Sequence, residues 1–176
     1  MLLSLNTVLA DSLLASYKDE LGADFTPYRN HVMRCLQFCH LLSHPGQEAW
    51  DKLQIAAVFH DLGIWTADTF DYIEPSVALA EAWLHKNGHA DWSKEVATMI
   101  RDHHKVSSSQ SVLAEVFRKA DWIDVSFGLL SYSVPRKAIR RAYNLFPDQG
   151  FHLLLAGLFT RHMLKDPFHP LPMFKW

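Results

Sequence analysis

The sequence predicts an all-α fold, a compact single-domain helical bundle of about seven or eight helices over residues 1–176. Three observations lead there. Apolar residues recur at helical spacing along nearly the whole chain, proline and glycine fall where helices would start and stop, and no run alternates convincingly as a strand does. The 176 residues are 49% hydrophobic, which is enough for one full-sized core. No internal repeat is visible.

The first element is an amphipathic helix with Leu2, Leu5, Leu9, Leu13 and Tyr17 along one face. Its opening run reads as the start of this helix rather than as a signal peptide, because no Lys or Arg precedes the apolar residues and Asp11 interrupts them. Thr26 and Pro27 supply a cap and a first-position proline for the next helix, whose stripe is His31, Cys35, Phe38 and Leu42. Cys35 and Cys39 share that helix, the pattern of a reduced, intracellular protein, and read as small buried hydrophobes rather than ligands. Ser43-His44-Pro45-Gly46 then breaks the chain.

A third helix puts Leu53, Ala56, Ala57 and His60 at i, i+3, i+4 and i+7, so His60 lies on the core stripe while Asp51 and Lys52 face solvent. Gly63 reads as its left-handed stop. The segment from Ile64 to Glu74 reads as irregular, rich in aromatics and acids. Pro75 starts a helix that stops at Asn87-Gly88, and another begins near Trp92 and carries Val96, Ile100, His103 and His104. After the polar loop Ser107-Ser108-Ser109, a helix places Phe117, Asp121, Val125 and Gly128 on one face. Pro135 opens the next, and Phe151 to Leu164 is the last. The tail from Pro167 is extended, with Phe168, Leu171, Phe174 or Trp176 packing on the body.

His31, His60, Asp61 and Asp121 thus lie on or beside the core stripes of three helices. A buried carboxylate needs a partner, and a bound cation is a good one. The competing reading is a backbone carbonyl for His60 and a cap or water for Asp61. Two imidazoles and two carboxylates form a mixed nitrogen and oxygen set that suits Mn, Fe, Co, Ni or Zn and leaves positions open for water.

The ordered set His31, His60-Asp61, Asp121 resembles the HD superfamily of metal-dependent phosphohydrolases. The runs Phe59-His60-Asp61-Leu62-Gly63 and Lys119-Ala120-Asp121-Trp122-Ile123-Asp124 are similar to its doublet and its distal acidic helix. The likeness spans about residues 27–128, with further helices and the tail at 135–176. It implies one divalent transition metal held by His31, His60, Asp61 and Asp121. It also implies that a metal-activated water hydrolyses a small phosphoester such as a nucleotide, with Asp61, His103 and His104 in catalytic roles. Of the two adjacent histidines, one is expected to face the pocket and the other to be solvated. Two-metal relatives carry a further histidine where this chain has Pro75-Ser76. That departure points to one tightly held ion and away from the di-iron oxygenase branch.

Trp65, Phe70 and Tyr72 suit a lid or substrate wall, and Glu81, with Ala78, Ala82 and His85 nearby, is a candidate pocket acid. The alternatives to a phosphohydrolase are a cyanamide hydratase-like hydratase of a small nitrogen compound and a non-catalytic sensor of a phosphorylated ligand. Arg136, Lys137, Arg140 and Arg141 read as a solvated helix face. With a net charge of −2, no nucleic-acid partner is expected. No segment reaches the roughly 18 apolar residues of a membrane span. The expected protein is soluble and cytoplasmic, takes a small phosphorylated substrate, and leaves a homodimer open.

Overall fold

A computed structural model describes residues 5–69 and 71–165. Its helices are α1 (Val8–Ala15), α2 (Lys18–Leu21), α3 (Phe25–Ser43), α4 (Gln47–Phe59), α5 (Gly63–Thr66), α6 (Ile73–Lys86), α7 (Ser93–Asp102), α8 (Val112–Val125), α9 (Arg136–Leu145) and α10 (Phe151–Lys165). Short 3₁₀ turns, Gly22–Asp24 and Ala90–Trp92, lead into α3 and α7. With α2 and α5 only one turn long, eight substantial helices remain, and no strand occurs among the described residues. None of these helices is long and apolar enough to cross a membrane.

Two helices make the centre. In α3 every residue from Asn30 to Cys39 is buried, and from α4 onward so is every residue from Leu53 to Ile64. Helices so enclosed cannot be amphipathic in the simple sense, and both are covered on several sides. Helix α8 packs along α3, and α7 bridges α4 and α8. Helix α6 lies on α7, α1 lies on α4, and α9 and α10 pack on α3. Buried apolar side chains such as Leu36, Phe38, Ile55, Phe59 and Phe117 fill the space between, each contributing about 1.5–3 kcal/mol by leaving water.

Several boundaries differ from the sequence reading. Helix α1 begins at Val8, and its predicted contact through Leu2 lies outside the described residues, as do Phe70 and the tail residues Phe168, Leu171, Phe174 and Trp176. Helix α3 begins at Phe25, not after a Thr26 cap. The 3₁₀ turn feeds directly into it, and Asp24 accepts a hydrogen bond from Trp65 Nε1 (3.0 Å) instead of capping. Pro27 and Pro75 each sit third in their helices, still within the first turn, where a missing N–H breaks no bond. Helix α7 ends at Asp102, so His103 and His104 form the turn beyond it.

Gly63 is not a left-handed stop. It is the first residue of α5, and a Cβ there would lie 2.5 Å from the Tyr72 carbonyl oxygen and 2.9 Å from Ser76 Oγ. The glycine is required by close approach to the start of α6, where Ser76 Oγ accepts the Gly63 N–H (2.9 Å). Gly63→Ala should therefore force α5 and α6 apart and destabilise the chain by about 1–3 kcal/mol, measured by urea denaturation.

Candidate metal centre

The C-terminal ends of α4 and α7 point at one buried space, and each presents a histidine there. Past its last turn a helix has carbonyls without intrahelical partners. In α4 the Ala57 carbonyl accepts from His60 Nδ1 (2.8 Å) and the Val58 carbonyl accepts from the Tyr28 hydroxyl (2.9 Å). In α7 the Ile100 carbonyl accepts from His103 Nδ1 (2.6 Å). A carbonyl can only accept, so Nδ1 carries a hydrogen in both rings, and Nε2 is the nitrogen each ring turns to the buried space. The same carbonyl dipoles make this space favourable for positive charge.

His31, from the middle of α3, is oriented differently. Its Nδ1 donates to Asp124 Oδ2 (2.7 Å) on α8, which leaves Nε2 as the acceptor. Asp124 is itself gripped by the buried Arg34, through Nε to Oδ1 (2.6 Å) and Nη2 to Oδ2 (2.8 Å). Arg34 also donates to the Phe146 carbonyl (2.9 Å), and its guanidinium lies 4.6 Å from the Tyr143 ring centre. Burial would raise the Asp124 carboxyl, but the hydrogen bonds from His31 and Arg34 win and hold it well below the usual carboxylate range. Removing one partner of such a buried pair costs about 3–5 kcal/mol, so this chain of three residues fixes the His31 ring firmly.

The Nε2 atoms of His31 and His60 stand 3.0 Å apart. Asp61 Oδ2 lies 3.2 Å from His60 Nε2 and 3.8 Å from His31 Nε2, and Asp121 Oδ1 lies 3.5 Å from His31 Nε2 and 3.8 Å from His60 Nε2. All four residues are at most 4% exposed. Bonds of about 2.0–2.2 Å place neighbouring donors about 3.0 Å apart in an octahedron and about 3.4 Å apart in a tetrahedron; His31, His60 and Asp61 form a group able to hold one ion, and Asp121 forms another with His31 and Cys35. Asp61 Oδ1 and His103 Nε2 are buried without a hydrogen-bond partner among the described residues, 3.4 Å from each other.

The electrostatics ask for the same ion. Burial pushes Asp121 up to about 8, with the nearby His103 opposing and the charges on Asp61 and Asp124 adding to the rise. Asp61 goes the other way, because His60 and His103 outweigh its burial and hold it well below the usual range. Burial lowers His31 to about 4 and keeps it neutral, despite Asp124. The residues present therefore fit a divalent metal, which would ionise Asp121, keep Asp61 ionised and be met by Nε2 of both rings.

The other predicted residues divide. His104 is half-buried rather than solvated, with Nε2 2.7 Å from the Tyr72 hydroxyl, and burial first, then His103, keeps it neutral. Asp61, His103 and His104 form a further group able to hold an ion, sharing Asp61 with the first. Tyr72 is buried beside both histidines. Trp65 sits one layer out, against Tyr28 (4.8 Å between ring centres). Glu81 does not face the site. The inward stripe of α6 is Ile73, Ser76, Val77, Ala80 and Leu84, and Glu81 lies on the outer side, where its charge acts on Arg101. Cys35 is 4.0 Å from Asp121 Oδ1, and burial pushes its thiol well up, so it is a protonated neighbour.

Sequence reasoning passed over Arg34, and it quoted Asp124 without giving it a role. The available signal was an arginine between Met33 and Cys35 on a helix with no other basic residue nearby except histidine and Arg29. Phe151 was also missed as the ring that stacks on His31 at 4.1 Å.

The family model described as HD domain matches residues 28–126, which include His31, His60, Asp61 and Asp121. No curated protein and no solved structure matches the chain.

The pH dependence of stability follows from these shifts. His31 and His104 bind protons more readily when unfolded, so stability of the metal-free chain rises as pH climbs from about 4 to 6.5. Asp121 binds its proton more tightly when folded and opposes that rise. Above pH 6.5 it acts alone, and stability falls toward pH 8. Thermal melts in chelator should show this maximum, and added Mn²⁺ should abolish the fall on the alkaline side.

Proposed function

The chain belongs to the HD-domain family, and we propose that it is a metal-dependent hydrolase of a small phosphoester, with nucleotides as the leading substrate class. One divalent ion is held by His31, His60, Asp61 and Asp121. The observation that carries this reading is the convergence of two imidazole nitrogens and two carboxylates in one buried space. A bound ion of that kind acts as a Lewis acid toward a phosphoryl oxygen and lowers the pKa of its water.

The surrounding residues divide the remaining work. His103 takes up a proton on Nε2, beside Asp61 Oδ1, and passes it to the leaving oxygen while its Nδ1–H stays on the Ile100 carbonyl. Tyr72 keeps its proton, because burial and then the charges of Asp61 and Asp121 raise its phenol well above the ordinary value. Its hydroxyl lies 2.7 Å from His104 Nε2 and holds that ring at the edge of the cluster. A single ion is favoured over two, since Ser76 Oγ already accepts the Gly63 N–H and His104 Nε2 is already bonded to Tyr72.

A second reading, hydration of a small nitrogen compound, is favoured by one feature. Among the described residues no Lys or Arg pairs with Asp61 or Asp121, and aromatic rings of Tyr28, Phe117 and Phe151 wall the histidines. Such a pocket suits a small uncharged substrate.

A panel of nucleoside monophosphates, other phosphomonoesters and cyanamide, assayed with Mn²⁺ and Co²⁺, separates the two readings. Phosphate release is expected, with kcat lowered about 10²–10⁴-fold by His103→Gln while bound metal is retained. Turnover of cyanamide alone selects the second reading, and turnover of neither contradicts both.

A further inference from the structure

Helix α9 carries four of the chain's 17 Lys and Arg residues, in a protein of net charge −2. Three of them, Lys137, Arg140 and Arg141, fall at i, i+3 and i+4, and Asn144 continues the same stripe at i+7. All four are exposed, whereas Ile139 and Ala142 are buried and face the body of the protein. Like charges at these spacings repel one another and weaken a helix. Among the described residues none of the three cations makes an ion pair, although ion pairs relieve Arg29, Lys52, Arg101, Arg118 and Lys119. Concentrated, unrelieved positive charge on one stripe is a feature that an anionic ligand would satisfy.

The stripe is one wall of a groove of about 690 Å³, within the range of small-molecule sites. The other wall is aromatic. Phe127 follows the end of α8 with φ of +52°, a left-handed conformation that is strained for a bulky residue. That backbone carries its ring outward. The ring rests on His152 (3.5 Å between centres, 24° between planes) and lies nearly parallel to Tyr143 at 6.1 Å. Phe127 nevertheless remains 59% exposed. Among the described residues no carboxylate lines the groove.

A stacking ring beside three free cations recognises a planar base joined to phosphates. We propose that this groove is a second binding site, separate from the buried metal-ion cluster, for a nucleoside polyphosphate. The base stacks on Phe127 with Asn144 at its edge, and Lys137, Arg140 and Arg141 take the phosphates. A single exposed ring and one short run of cations match one nucleotide rather than a strand, which would need a longer basic track. The groove is also well placed to be sensed. Tyr143 donates its hydroxyl to the Asp124 carbonyl (2.9 Å), and His152 Nε2 lies 2.9 Å from the same oxygen, so only Asp124 separates the groove from His31.

The test is fluorescence anisotropy of mant-ADP with the full chain in EDTA, which keeps the buried cluster free of metal. Saturable binding is expected, weakened about tenfold or more by Arg140→Glu/Arg141→Glu and by Phe127→Ser, and unchanged by Asp61→Ala. Melting curves verify that the variants are folded; should the double variant unfold, Phe127→Ser and suppression by added salt decide. Absence of saturable binding, indifference to these substitutions, or loss of binding in Asp61→Ala would overturn the proposal. So would tighter binding of an oligothymidylate that strengthens with its length, which would make the groove a nucleic-acid contact.

Discussion

Two imidazole nitrogens face one another at 3.0 Å with two carboxylates beside them, and only positive charge makes that stable. The rest of the architecture holds this arrangement in place. The ends of α4 and α7 are plugged by the rings they present, which fixes the tautomer of His60 and His103 through backbone carbonyls that any sequence would supply. His31 has no helix end to lean on. The buried Asp124, itself clamped by Arg34, does that work instead. Each ring is thus aimed by a hydrogen bond on its far side.

The arrangement also explains the helical core. A site of this kind needs donors held to within a fraction of an ångström, and rigid helices provide that better than loops. Enclosing α3 and α4 on several sides buries the donors, which strengthens their mutual interactions and makes an unpaired carboxylate more costly. Burial raises Asp121, whereas His60 and His103 outweigh burial at Asp61, so the two acids of one buried cluster shift in opposite directions.

Much of this was legible in the sequence because helical periodicity reports which residues face inward. His31, His60 and Asp121 fell on apolar stripes, and they are buried. Periodicity fails where a helix is buried all round, and there Arg34 escaped notice, since its partner Asp124 is 90 residues away. Glu81 was misplaced for the complementary reason. The small residues Ala78 and Ala82 beside it look apolar on paper, yet they form the exposed side of α6. Gly63 was read as a helix stop from its position alone, whereas its role is set by a carbonyl and a hydroxyl from another helix. Long-range contacts of that sort leave no local signature.

Elemental analysis of the purified protein tests the central claim most directly, run beside an Asp61→Ala variant after both are reloaded with Mn, Co, Ni or Zn. About one transition-metal ion per chain is expected, absent from the variant. A chain that takes up no ion under any of these conditions would contradict it, as would an ion retained undiminished when Asp61 is gone.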